Sequence, residues 1–227
     1  MGGVRRGSDA MARRFDAEGL AAMALPVTYW VARHAQPPTP MGGTGMRALH
    51  RIRHFIFAFG QAKRHRTDLI RHIGRRPLLA GATVGVETAM LLSNKMDPKL
   101  KDLAELKAAG MVSCEFCLDI GSVLATSSGV TEQQIRDLPR YRDSAAYSEI
   151  EKLVIAYAEA MTLTPAVGDD LADLRRRLAE HLTETQIVEL AMTVAWENQR
   201  ARLNQSLGVR PTGMSDGATC ALPEPAS

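Results

Sequence analysis

The chain has 227 residues, 45% hydrophobic and 23% charged, which suffices for one domain with a proper core. Three cysteines cannot all pair within one chain, so a secreted disulfide scaffold is a poor reading. The net charge of +3 hides an asymmetry: residues 1–76 carry 14 Lys/Arg against 4 Asp/Glu, and the remainder 14 against 21.

A basic arm on an acidic body can meet nucleic acid or anionic lipid, or it can fold onto its own body or a neighbouring subunit. The second outcome is expected, so no nucleic-acid partner is assigned. The segment GLAAMALPVTYWVA (19–32) is broken by Pro26 and follows Asp16 and Glu18. It lacks the ~20 apolar residues of a membrane span and the cleavage site of a signal peptide. It reads as a short helix or mobile arm of a cytoplasmic protein. The Pro/Gly cluster QPPTPMGGTG (36–45) reads as a linker, which makes residues 1–45 a flexible N-terminal arm.

From Met46 the chain mixes basic and apolar residues at helical spacing. His50 and His54 are i, i+4 neighbours there, but no Cys or acid lies close enough to complete a metal site. Pro77 opens PLLAGATVGVETAMLLSN, with Leu78, Val84, Ala89, Leu91 and Leu92 forming a broad apolar face. Asp97-Pro98 starts another helix, which carries Leu100, Leu103 and Leu106 on one side.

The pair Cys114 and Cys117 follows at once in MVSCEFCLDIGS. Ser113 is the expected N-cap, with Cys114 at the first helical position and Cys117 one turn on. Unpaired amides and the dipole at a helix start stabilise a thiolate. A three-residue separation also permits a disulfide across one turn. A structural metal site would need two further ligands, which the neighbourhood lacks, and free cysteines are often simply buried. Redox couple, silent core and metal therefore all remain open on the motif alone.

Downstream, Thr131 with Gln134, Ser148 with Glu151, and Thr183 with Gln186 each fit a capping box at a helix start. The last helix carries Ile187, Leu190, Ala191, Val194 and Leu203 at helical spacing and ends at Gly208. No strand is legible, so the fold class is all-α. The tail 211–227 is poor in hydrophobics and is expected to be disordered, with Cys220 in it lacking any partner the sequence identifies.

The run MDPKLKDLAELKAAGMVSCEFCLDIGSVLA resembles the cysteine-bearing helix pair of the carboxymuconolactone decarboxylase / alkylhydroperoxidase D-like superfamily. YRDSAAYSEIEKLVIAYAEAMTLTP and LTETQIVELAMTVAWENQRARLNQSLGV resemble its second half, so the likeness covers about residues 75–210. It implies a helical bundle over 46–210 that assembles into trimers or hexamers and needs no cofactor or metal. It also implies reduction of hydroperoxides or disulfides, with an external dithiol as reductant. By that pattern Cys117 attacks the peroxide, Cys114 resolves the product, and a carboxylate with a histidine relays the proton.

The relay carboxylate, twelve residues before Cys114, falls on Asp102, and the histidine position four residues after Cys117 holds Gly121. Glycine supplies no base, which leaves Asp102 to take the proton, or a histidine such as His54 or His72 to reach in. The gap at Gly121 could instead admit a bulky substrate. A sensor or binding module with weakened turnover is the alternative reading. The lyase branch lacks the cysteine pair, which argues against decarboxylation. Glu115 and Asp119 are expected to face solvent or an arginine. Trp196, Glu197, Asn198 and Arg202 resemble the family's polar pattern on the last helix and read as a subunit contact or helix-capping network.

Overall fold

The structure is a computed structural model and describes residues 53, 56, 57, 60–163 and 171–224. The arm over 1–45, His50 and His54 lie outside them. The described residues form α1 (Asp68–Ile73), α2 (Pro77–Leu92), α3 (Pro98–Val112), α4 (Glu115–Ser127) and α5 (Glu132–Asp137). A 3-10 turn (Leu138–Arg140), α6 (Glu149–Thr162), α7 (Leu171–Leu178) and α8 (Glu184–Ser206) complete the set, with no strand among the described residues. The fold is all-α, as the sequence implies.

The helix boundaries have local causes. All three capping boxes form: Thr131, Ser148 and Thr183 each accept from the backbone N–H three residues on, and the Gln or Glu there reaches back. Asp97 caps α3 by accepting from Lys99 N at 2.9 Å, with Pro98 in the first turn. Gly208, at φ +65°, takes the left-handed conformation that ends α8, and Val209 N donates to Asn204 O at 2.9 Å.

Helix α3 is central and packs against α4, α6 and α8. Its Leu103, Ala104, Leu106, Ala108 and Ala109 are fully buried. It also buries two lysines, each paired as a buried cation requires. Lys101 Nζ lies 2.7 Å from Glu189 on α8 and donates to the Ser93 carbonyl. Glu189 in turn accepts from the backbone N–H groups of Lys95 and Met96, which ties the α2–α3 loop to α8. Lys107 Nζ lies 2.7 Å from Glu224 and over the Tyr141 ring.

That second pair corrects the reading of the tail. Residues 211 to 224 lie against the bundle, with Thr212, Met214 and Ala221 buried. The tail is short of apolar residues, but polar bonds to α3 and α4 hold it instead. Helix α2 differs from expectation in the other direction. It forms over the predicted span, yet none of its residues is buried; Leu78 is 88% exposed and Leu79 62%. Arg200 on α8, 3.1 Å from Glu87, links it to the body.

Candidate active site

The cysteine pair sits where α3 hands over to α4. Ser113 adopts φ +60° and terminates α3, so the cap of α4 falls one residue later than the sequence suggests. Cys114, not Ser113, is the N-cap: its Sγ accepts from Cys117 N at 3.2 Å, as a serine hydroxyl would. Glu115 is then the first helical residue. The two cysteines are joined as a disulfide with Cα atoms 5.3 Å apart, inside the range that such a bond needs. Both are buried, Cys114 to 1% exposure and Cys117 to 5%.

Cys117 has a second polar neighbour that the sequence did not single out. Asn204 on α8, itself 2% exposed, directs Nδ2 to Cys117 Sγ at 3.6 Å. A signal for it existed. The buried stripe of α8 runs Ile187, Leu190, Val194, Glu197, Ala201, Asn204, and an amide on an apolar stripe requires a partner in the core. One residue on, Gln205 Nε2 donates to Ser113 O at 3.0 Å and fixes α8 against the α3–α4 junction.

Position 121 is closed. A Cβ on Gly121 would lie 3.1 Å from Leu106 Cδ2, and Leu106 is fully buried. The room that Gly121 could have left for a bulky substrate is taken up by the Leu106 side chain. Asp102 lies on α3 one turn before Leu106 and is 6% exposed, so the stripe that meets Gly121 continues to this carboxylate. His72 is on α1 with its ring 3.4 Å from Arg75 Nη1, a local contact.

Asp119 does not face solvent. It is 4% exposed and accepts from the backbone N–H and hydroxyl of Thr212, from Met214 N, and from the backbone N–H and hydroxyl of Ser215, all at 2.8–3.2 Å. Burial pushes its carboxyl up, but these donors outweigh that and hold it below the usual aspartate range. The tail is thereby tied to the cysteine helix, two residues beyond Cys117. Further along, Ala221 N donates to Ser122 Oγ at 2.9 Å, and the same hydroxyl lies 3.7 Å from Cys220 Sγ.

A second polar cluster occupies α8. Glu197, 1% exposed, pairs with Arg200, which also meets Glu87 and Glu105. Burial raises the Glu197 carboxyl to about 7, against the attraction of Arg200. Its Oε1 and the Trp196 Nε1 lack hydrogen-bond partners among the described residues. Asn198 and Arg202 bond Thr162 Oγ1 and Thr162 O, closing the end of α6, as a capping network should. Among the described residues no group of three His, Cys, Asp or Glu side chains could hold a metal ion, and no helix is long and apolar enough to cross a membrane.

Sequence comparison matches residues 77–160 to the profile of the carboxymuconolactone decarboxylase family. The uncharacterized protein YnjA of Escherichia coli K12 is 32% identical over 129 residues, 57% of this chain and 67% of the relative. The uncharacterized protein YdfG of Bacillus subtilis 168 is 31% identical over 112 residues, 48% of this chain and 74% of that protein. Among solved structures, the debrominase Bmp8, studied also as a C82A variant with 2,3,4-tribromopyrrole, superposes with TM-score 0.56 at 22% identity, covering 63% of this chain and 75% of its own. ATU0492 of Agrobacterium tumefaciens, a protein of unknown function provisionally assigned to antioxidant defence, gives TM-score 0.57 at 21% identity, covering 62% and 94%. These two likenesses concern the fold.

Proposed function

The chain belongs to the carboxymuconolactone decarboxylase family, and from that premise we propose that it is a thiol-dependent oxidoreductase that reduces hydroperoxides through Cys114 and Cys117. The observation that carries this reading is the bonded sulfur pair at the start of α4, each sulfur having its own N–H donor. In the reduced state the Cys117 thiolate attacks the terminal peroxide oxygen. The O–O bond breaks, the sulfur becomes a sulfenic acid, and the departing alkoxide takes a proton. The Cys114 thiol then attacks that sulfur, water leaves, and the disulfide forms. An external dithiol restores both thiols by exchange.

Asp102 is the residue assigned to carry the proton. It is buried, and it lies on the α3 stripe that reaches Gly121. The test is peroxide consumption coupled to a dithiol, for the unmodified chain, Cys117→Ser and Asp102→Asn. The reading expects turnover to vanish in Cys117→Ser and to fall roughly 100-fold or more in Asp102→Asn. Equal turnover in Cys117→Ser would rule the assignment out.

A sensor is the second reading, and Leu106 closing the place of the family histidine favours it, since no base stands there. Stoichiometric disulfide formation without repeated turnover would select it. The uncovered Leu78, Leu79 and Val84 of α2 support assembly into a homo-oligomer, a trimer or hexamer, through that helix.

A further inference from the structure

We propose that Asn204 is the hydrogen-bond donor that makes Cys117 the attacking sulfur, doing by polarity what the chain cannot do with a base at Gly121. The proposal rests on the thiol-pair reading above and deepens it.

The start of α4 by itself favours the wrong cysteine. The N-cap sulfur belongs to Cys114, and the Cys117 N–H points at it from 3.2 Å. Amides and dipole at a helix start stabilise the thiolate that sits at the cap. With no other donor, Cys114 would be the more acidic thiol, and the roles of the pair would invert. Asn204 Nδ2, 3.6 Å from Cys117 Sγ, is the opposing donor.

The chemistry of the acceptor makes this bond depend on oxidation state. A thiol or disulfide sulfur accepts a hydrogen bond weakly, whereas a thiolate accepts strongly. A buried amide aimed at a disulfide is therefore poorly satisfied, and the same amide aimed at a thiolate is well satisfied. Asn204 thus stabilises reduced, ionised Cys117 relative to the oxidised pair, which raises both its nucleophilicity at neutral pH and the oxidising power of the disulfide. An amide takes no proton, so the relay remains with Asp102. The backbone leaves Asn204 little freedom: its carbonyl accepts Val209 N at the helix end, and Gln205 beside it holds Ser113 O.

Of the elements packed against α4, α3 carries Lys99, Lys101, Asp102, Glu105 and Lys107, and α8 carries Glu184, Glu189, Glu197, Arg200 and Arg202. Asp119 on α4 is engaged by the tail, and the tail's own titratable thiol is Cys220.

The test is pH-dependent alkylation of the reduced full chain by iodoacetamide, with peptide mapping to follow Cys114 and Cys117 separately. Asn204→Leu keeps the branched shape, with somewhat more bulk, and removes the donor; Asn204→Asp puts a carboxylate there. The Cys117 midpoint is expected to rise by about one pH unit in Asn204→Leu and further in Asn204→Asp, with a roughly tenfold slower reaction at pH 7, while Cys114 moves less. Asn204→Ser, a milder change, should shift Cys117 the same way and serves if the leucine variant fails to fold. A Cys117 midpoint unchanged in folded variants overturns the proposal. No peroxide enters the measurement, so a chain that shows the shift yet never consumes peroxide keeps Asn204 in this role and loses only the peroxidase reading.

Discussion

At the scale of single residues, two buried carboxylates give opposite pH signatures. Asp119 is held ionised by five donors from the tail. Its folded pKa is depressed, so its contribution is complete above the unfolded value of about 3.9 and is lost as pH falls through the folded one. Asp119→Asn should cost about 1.5–3 kcal/mol at neutral pH, read as a lower urea midpoint, and should flatten the acid limb of the stability profile. Glu197 behaves the other way. With a folded pKa of about 7, above the ordinary 4.5, it favours the folded state at low pH, and that contribution is lost as pH rises from about 4.5 through 7. Glu197→Gln should remove that part of the slope, measured by denaturant unfolding between pH 4.5 and 8. Gly121 sets a steric test. Gly121→His should destabilise by about 1–3 kcal/mol because its Cβ meets Leu106, and that increment should be smaller when measured in a Leu106→Ala background.

At the scale of elements, α3 depends on its buried charges as well as its leucines. Removing one partner of Lys101–Glu189, as in Lys101→Met, should cost about 3–5 kcal/mol, whereas Lys101→Met with Glu189→Gln, which keeps an acceptor for Lys95 N and Met96 N, should recover much of it. Urea unfolding of the two variants against the unmodified chain gives the comparison. The starts of α5, α6 and α8 were legible in the sequence, because a capping box is written in residues three apart. The start of α4 was misplaced by one residue, since nothing local says that Ser113 must turn left-handed to end α3. The tail was misjudged for a related reason. Its anchors are Asp119, Ser122 and Lys107, roughly 90 to 120 positions away, and composition carries no information on so distant a partner. The cysteine pair was legible because its spacing is its chemistry. Asn204 was legible only as an amide on a buried stripe; its partner was not, because Cys117 lies on another helix, 87 positions away.

At the scale of the whole molecule, the bundle gathers three features around one pair of sulfurs: the cap of α4, the amide from α8, and the tail fastened to the same helix. The uncovered face of α2 belongs to this scale. Leu78→Glu with Leu79→Glu should lower the assembled mass in light scattering while leaving helix content unchanged. Every functional statement depends on the two sulfurs acting as a couple, and intact-mass spectrometry of the reduced chain after one equivalent of hydroperoxide tests this most directly. The account predicts loss of two hydrogens per chain, mapped to a Cys114–Cys117 bond and abolished in Cys117→Ser. Two free thiols persisting after peroxide, or oxygen added to either sulfur with no bond between them, would contradict it.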